Sequence, residues 1–107
     1  MRDERIAVKI VSRRYWFKIV EFLQQNWALI DPIDGGVVVY FFGDTSVVFD
    51  ELRFGSRREA ETALRRNDFL PYSEDSEAQK FISPPNDPFT RGRHPNGPIY
   101  SSGRFWR

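Results

Sequence analysis

The first apolar stretch of the chain alternates, with Ile6, Val8 and Ile10 on one side and Arg5, Ala7 and Lys9 on the other. A period of two predicts a half-buried strand over residues 5–11. The spacing then changes. Trp16, Ile19, Val20, Leu23 and Trp27 stand at i, i+3, i+4, i+7 and i+11, which predicts an amphipathic helix over 13–26 with Ser12 as its N-cap. Tyr15 and Phe22 widen the apolar arc, Phe17 lies on its other side, and Arg14, Lys18, Glu21 and Gln25 make the wet face.

Trp27 to Ile33 reads as a strand weakened by Pro32, which lacks a ladder donor and argues for an edge or an early end. Asp34-Gly35-Gly36 is a turn signal, since glycine takes positive φ without steric cost. Val37 to Phe42 is the longest uninterrupted apolar run and is apolar on both alternations, the mark of a strand covered on both faces. Gly43 to Ser46 turns the chain again, and Val47-Val48-Phe49 opens a further strand reaching towards Leu52.

Ser56 followed three residues on by Glu59 is a capping box, so a second helix starts there. Ala60, Ala63 and Leu64 form a narrow face suited to close approach on a sheet. Glu61 and Arg65 are placed for an i,i+4 pair, and Asn67 suits a left-handed terminator. Phe69, Leu70 and Tyr72 pack the exit, Pro71 stops the helix, and Ser76 to Ile82 suits one or two helical turns. The expected core contains Trp16, Val20, Leu23, Val39, Phe41 and Leu64.

These elements predict an α+β two-layer sandwich: an antiparallel meander of three or four strands with two helices on one face. The order strand–helix–meander–helix is similar to that of ferredoxin-like sandwiches, a likeness of topology that carries no activity. Residues 1–82 form the expected domain. Residues 83–107 hold five of the seven prolines and three of the seven glycines, and are expected to form an extended tail docked on the domain through Phe89, Tyr100, Phe105 and Trp106. Two helices on one side cover only one face of Val37–Phe42. The other face would be an apolar patch, covered by the aromatic tail or by a second copy in a homodimer. Self-association with the tail helping is the favoured expectation.

Composition narrows the chemistry. With 107 residues, 40% hydrophobic and 16% aromatic, the chain supports one core. It has no cysteine and one histidine, which excludes disulfides, thiolate metal sites, a cysteine nucleophile and any two-histidine motif. No cofactor motif is present; the glycines match neither dinucleotide nor P-loop spacing. The charged N-terminus lacks a signal-type apolar region, and no run approaches the length of a membrane span. A soluble, cytoplasmic protein without membrane contact is expected.

The net charge is +1, but it is distributed as +4 over residues 1–20, −6 over 21–52, +3 over 53–66, −4 over 67–87 and +4 over 88–107. Thirteen of the sixteen basic residues are arginine, which favours bidentate pairing. The acids Asp31, Asp34, Asp44, Asp50 and Glu51 fall mostly at or beside turns, where they bond backbone rather than substrate. His94 lies in a polar loop with Asp87 and Ser83 merely nearby, a remote basis for an enzyme. Arg91, Arg93, Arg104 and Arg107, interleaved with Tyr100, Phe105 and Trp106 and joined by His94, form the candidate partner surface. Such a mixture suits single-stranded nucleic acid through phosphate contacts and base stacking. The leading expectation is a non-enzymatic protein–protein interaction module, with an unidentified protein or a second copy as its partner.

Overall fold

A computed structural model describes residues 6–20, 24–43, 45–86 and 88–92. Within them the chain forms β1 (Ala7–Val8), β2 (Trp16–Val20), β3 (Gln24–Ile33), β4 (Gly36–Phe42), β5 (Val47–Phe54), α1 (Arg57–Arg66), β6 (Leu70–Pro71), α2 (Ser76–Phe81) and β7 (Phe89–Arg91), with a 3-10 turn over Tyr72–Glu74. The seven strands make one mixed sheet in the order β1-β7-β5-β4-β3-β2-β6. Only the β5–β7 pair is parallel. The architecture is α+β, with a radius of gyration of 13.3 Å.

Four features differ from the sequence-based expectation. The first concerns the helix expected over 13–26, whose described residues 13–20 and 24–26 are extended or strand instead. Trp16–Val20 is a strand whose register pairs Trp16 with Ala28 and Phe17 with Trp27. Aromatic and β-branched side chains from Tyr15 to Val20 favour extended backbone. Trp16 points into the cluster beneath α1 and Phe17 into the cluster on the opposite face, and both are buried. A strand buried on both faces loses its alternation, so its apolar positions fall into a helical spacing by coincidence. Ser12 accordingly caps no helix; its backbone N–H donates to Asp31 and its hydroxyl accepts from Arg14 N–H. The likeness to a ferredoxin-like order goes with the helix.

The second difference is the sheet, which is larger than three or four strands and mixed. The strand expected over 5–11 shortens to two residues, with Val8 and Ile10 buried and Ile6 exposed. Residues 89–91, expected in the tail, run between β1 and β5 as β7, antiparallel to one and parallel to the other.

Third, the two helices lie on opposite faces. Ala60 and Leu64 of α1 pack with Trp16, Ala28, Ile30, Val39, Phe41 and Phe69 on one face. On the other, Ala78 and Ile82 of the α2 segment pack with Phe17, Trp27, Leu29, Phe42, Val48 and Phe89. This second face is covered by two crossings. The chain leaves β1 at one edge and enters β2 near the other, so residues 9–15 traverse the sheet; residues 72–86 lead back from β6 towards β7. The crossings are bonded together, Tyr72 N–H donating to the Tyr15 carbonyl at 2.9 Å and the Tyr15 hydroxyl to the Pro85 carbonyl at 3.0 Å. Both faces of β4 are thus filled intramolecularly, and the bare face that argued for a dimer does not exist.

Fourth, two local details shift around α1. The left-handed residue after the helix is Asp68, at φ 73°, while Asn67 donates its side-chain amide to Ala63 O. Glu61 pairs with Arg57 at 3.9 Å, and Arg65 with Glu74 at 3.7 Å.

Several expectations hold. Trp16, Val39, Phe41 and Leu64 are buried; Leu23 and the side chain of Val20 lie outside what the structure describes. The β3–β4 turn falls at Asp34-Gly35, with Gly35 at φ 80°. Ser56 accepts from Glu59 N–H as N-cap of α1. Pro32 lies beyond the stretch of β3 that pairs with β2 and is exposed, so its missing donor removes no bond to that neighbour.

Candidate interaction surfaces

The crossing segments are anchored by one buried carboxylate. Asp31, 6% exposed, accepts the backbone N–H of Val11 at 2.7 Å and of Ser12 at 2.8 Å. Two further sequence candidates for acid chemistry, Asp50 and Glu51, are similarly occupied. Asp50 accepts from Glu51 N–H, Glu51 pairs with Arg91 at 3.1 Å, and Asp34 stands exposed in its turn; Asp44 lies outside the described residues. Among the described residues no group of three His, Asp or Glu side chains is placed to hold a metal ion. No described helix is long and apolar enough to cross a membrane.

Of the candidate partner residues, only Arg91 is described. Its guanidinium is engaged by Glu51 on β5, and its backbone N–H donates to Ile6 O. Arg93, His94, Tyr100, Arg104, Phe105, Trp106 and Arg107 lie outside the described residues.

Sequence reasoning missed a groove at the β2 end of the second face. Its walls are Phe17 and Ile19 of β2 and Ala78, Phe81 and Ile82 of the α2 segment; Gln25, Asp75 and Glu77 supply its polar atoms, and it encloses 630 Å³. Asp75 caps α2 by accepting from Ala78 N–H at 3.0 Å, which fixes the helix over the sheet. Short as α2 is, Ala78, Phe81 and Ile82 fall at i, i+3 and i+4, a spacing that reads as core contact. Only part of that stripe is covered, Phe81 being 80% exposed, and Ile19 across the groove on β2 is 40% exposed. Leu70, the register partner of Phe17 and so on the same face, is 47% exposed. Among the described residues the adjoining strand edge is open. β6 pairs with β2 only at Trp16 and Phe17, and among the described residues no strand is bonded to the outer edge beyond Phe17.

Two further clefts flank α1 on the opposite face. One, of 440 Å³, is lined by Arg13, Arg14, Arg57 and Arg65 with Glu61, Glu74 and Tyr72 among its other residues. The second, of 570 Å³, is lined by Arg53, Arg58 and Arg66 with Glu59 and Thr62. Arg13 serves the fold: its guanidinium donates to the carbonyls of Ile10 and Ser12 and lies 5.1 Å from the Phe89 ring centroid. Arg65 stacks over Trp16 at 5.2 Å. The +3 run over residues 53–66 was the sequence signal for this surface.

The Tyr40 phenol lies half-buried on β4 beside Glu51. Burial raises its phenol pKa above the ordinary value, and the negative charges of Glu51 and Asp31 push the same way against Arg91 and Arg53.

No protein-family model, curated protein or solved structure matches this chain.

Proposed function

We propose that the chain is a small, non-enzymatic protein–protein interaction module that takes an extended segment of a partner protein into the groove between β2 and α2. The observation that carries this reading is the grouping of exposed Phe81, Ile19 and Leu70 beside an open strand edge. Large apolar side chains gathered on one surface mark a contact site rather than a solvated face. An open edge offers main-chain donors and acceptors, and side chains of an added strand alternate, so every second one enters the groove. The partner segment therefore carries apolar residues at i and i+2. Asp75 and Glu77 favour a lysine or arginine at its flank.

The non-enzymatic reading is supported by the bonded or paired state of Asp31, Asp50 and Glu51. A cysteine-free chain suits the reducing cytoplasm, where we place its work.

The test selects binding peptides from a displayed library against the full chain and compares Phe81→Ser with the parent. Selected peptides are expected to alternate apolar residues beside a basic one. Phe81→Ser should weaken them about tenfold or more, as loss of an interface anchor does, while leaving thermal stability unchanged. Unaltered peptide affinity in the variant would refute the groove. Sedimentation of the full chain supplies a second readout: a dimer that Phe81→Ser dissociates would make a second copy the occupant instead.

A further inference from the structure

A different surface carries an inference independent of the groove. We infer that α1 is a docking helix for the phosphate backbone of double-stranded nucleic acid. Arg14, Arg57 and Arg65 line the cleft on one flank of the helix, and Arg53, Arg58 and Arg66 the cleft on the other. All six are exposed. Against these six guanidiniums the two clefts hold three carboxylates, Glu59, Glu61 and Glu74. The two ion pairs that result are long, 3.9 Å and 3.7 Å, between well-exposed groups, and such pairs open at little cost. Arg14, Arg53, Arg58 and Arg66 make no ion pair among the described residues.

The partner follows from geometry and from what the surface lacks. Arginine binds phosphate oxygens bidentately, so a line of arginines on both flanks of one helix suits two rows of phosphates. An α-helix with its side chains is about 10–12 Å across, and the major groove of a duplex is about 12 Å wide. A helix lying there has a phosphate backbone on either side. Binding of single strands instead uses exposed rings for base stacking. Of the rings on this face and in its clefts, Trp16, Phe41 and Phe69 are buried, Trp16 under Arg65 and Phe69 under Lys18, and Tyr15, Phe49, Phe54 and Tyr72 are packed and only partly accessible; none stands exposed. The contact is therefore with the duplex backbone and reads no sequence.

The experiment titrates the full chain into a fluorescent duplex of about two helical turns and follows anisotropy as salt rises. Binding in the micromolar range is expected at low salt. The logarithmic salt slope should be about −4 to −5, as neutralisation of about five phosphates requires. Arg58→Ala with Arg66→Ala, both exposed positions, should lower the slope by about 2 and the low-salt affinity by about tenfold or more, with an unchanged circular dichroism spectrum. The counter-variant Arg104→Ala with Arg107→Ala should keep most of the binding. The inference falls if the duplex does not bind, if a single strand of the same length binds more tightly, or if only the second pair of substitutions abolishes binding.

Discussion

Replacing Asp31 by Asn tests how the second face of the sheet is held. Asp31 sits on β3, 6% exposed, with one carboxylate oxygen 2.7 Å from Val11 N and the other 2.8 Å from Ser12 N. Asn has nearly the same shape but only one acceptor oxygen; its NH2 group then faces a backbone N–H, donor against donor. One charge-assisted bond, worth about 1.5–3 kcal/mol, is lost. The surviving one becomes neutral and weakens by roughly half. The sum is a loss of about 2–4 kcal/mol, a large part of a domain's marginal stability. In urea, with a slope of about 1–3 kcal/mol/M, the midpoint should fall by about 1–2 M. Asp31→Ala should be no more than about 1 kcal/mol worse than Asp31→Asn, because Val11 is exposed and water reaches the released amides. Asp34→Asn in the exposed turn is the control and should change little. A loss below about 0.5 kcal/mol for Asp31→Asn, within the range of ordinary surface changes, would refute the anchoring role.

Three other outcomes follow from the same packing. Phe89, 2% exposed, lies 5.0 Å from the Phe42 ring centroid, so Phe89→Ala should cost about 3–5 kcal/mol; an exposed-residue value near zero in the same urea assay would remove β7 from the sheet. A Cβ added at Gly36 would stand 2.1 Å from the Phe54 carbonyl oxygen, and Gly36→Ala should destabilise by about 1–3 kcal/mol through forced backbone movement, read as a lower melting temperature. The raised phenol pKa of Tyr40 means that the unfolded chain, whose tyrosines titrate near about 10, sheds this proton before the folded one. Its contribution is therefore present below about pH 10 and is lost as pH rises through the folded pKa. Tyr40→Phe should flatten the alkaline fall in stability, and identical pH profiles for the two proteins would contradict the assignment.

What was legible in the sequence was the part governed by local rules. Val37–Phe42 is apolar on both alternations because β4 has neighbours on both sides and cover on both faces. Gly35 marks its turn through positive φ, and Ser56 marks the start of α1 through its cap. The failures share one cause, contacts between distant residues. Trp16 and Phe17 are adjacent and both buried, and nothing local distinguishes that from a broad helical stripe. The cover of the second face comes from residues 9–15 and 72–86, whose shape is set by bonds such as Tyr15 to Pro85, seventy residues apart. Phe89–Arg91 is three residues long between Pro88 and Gly92, too short to show a period. The groove was invisible because Phe81 carries the spacing of a core residue and is nevertheless exposed. The arginine surface was partly visible as a run of charge, but its division between the two flanks of one helix needed the fold.

The central claim is that the groove between β2 and α2 is the face at which this protein meets its partner. Amide chemical-shift mapping of the full chain with a selected alternating apolar peptide tests it most directly. The account predicts shifts concentrated at residues 16–19 and 75–82, saturating with a single affinity and leaving residues 57–66 of α1 unmoved. Shifts centred on α1, or spread evenly over the sheet with none at Ile19 and Phe81, would contradict it.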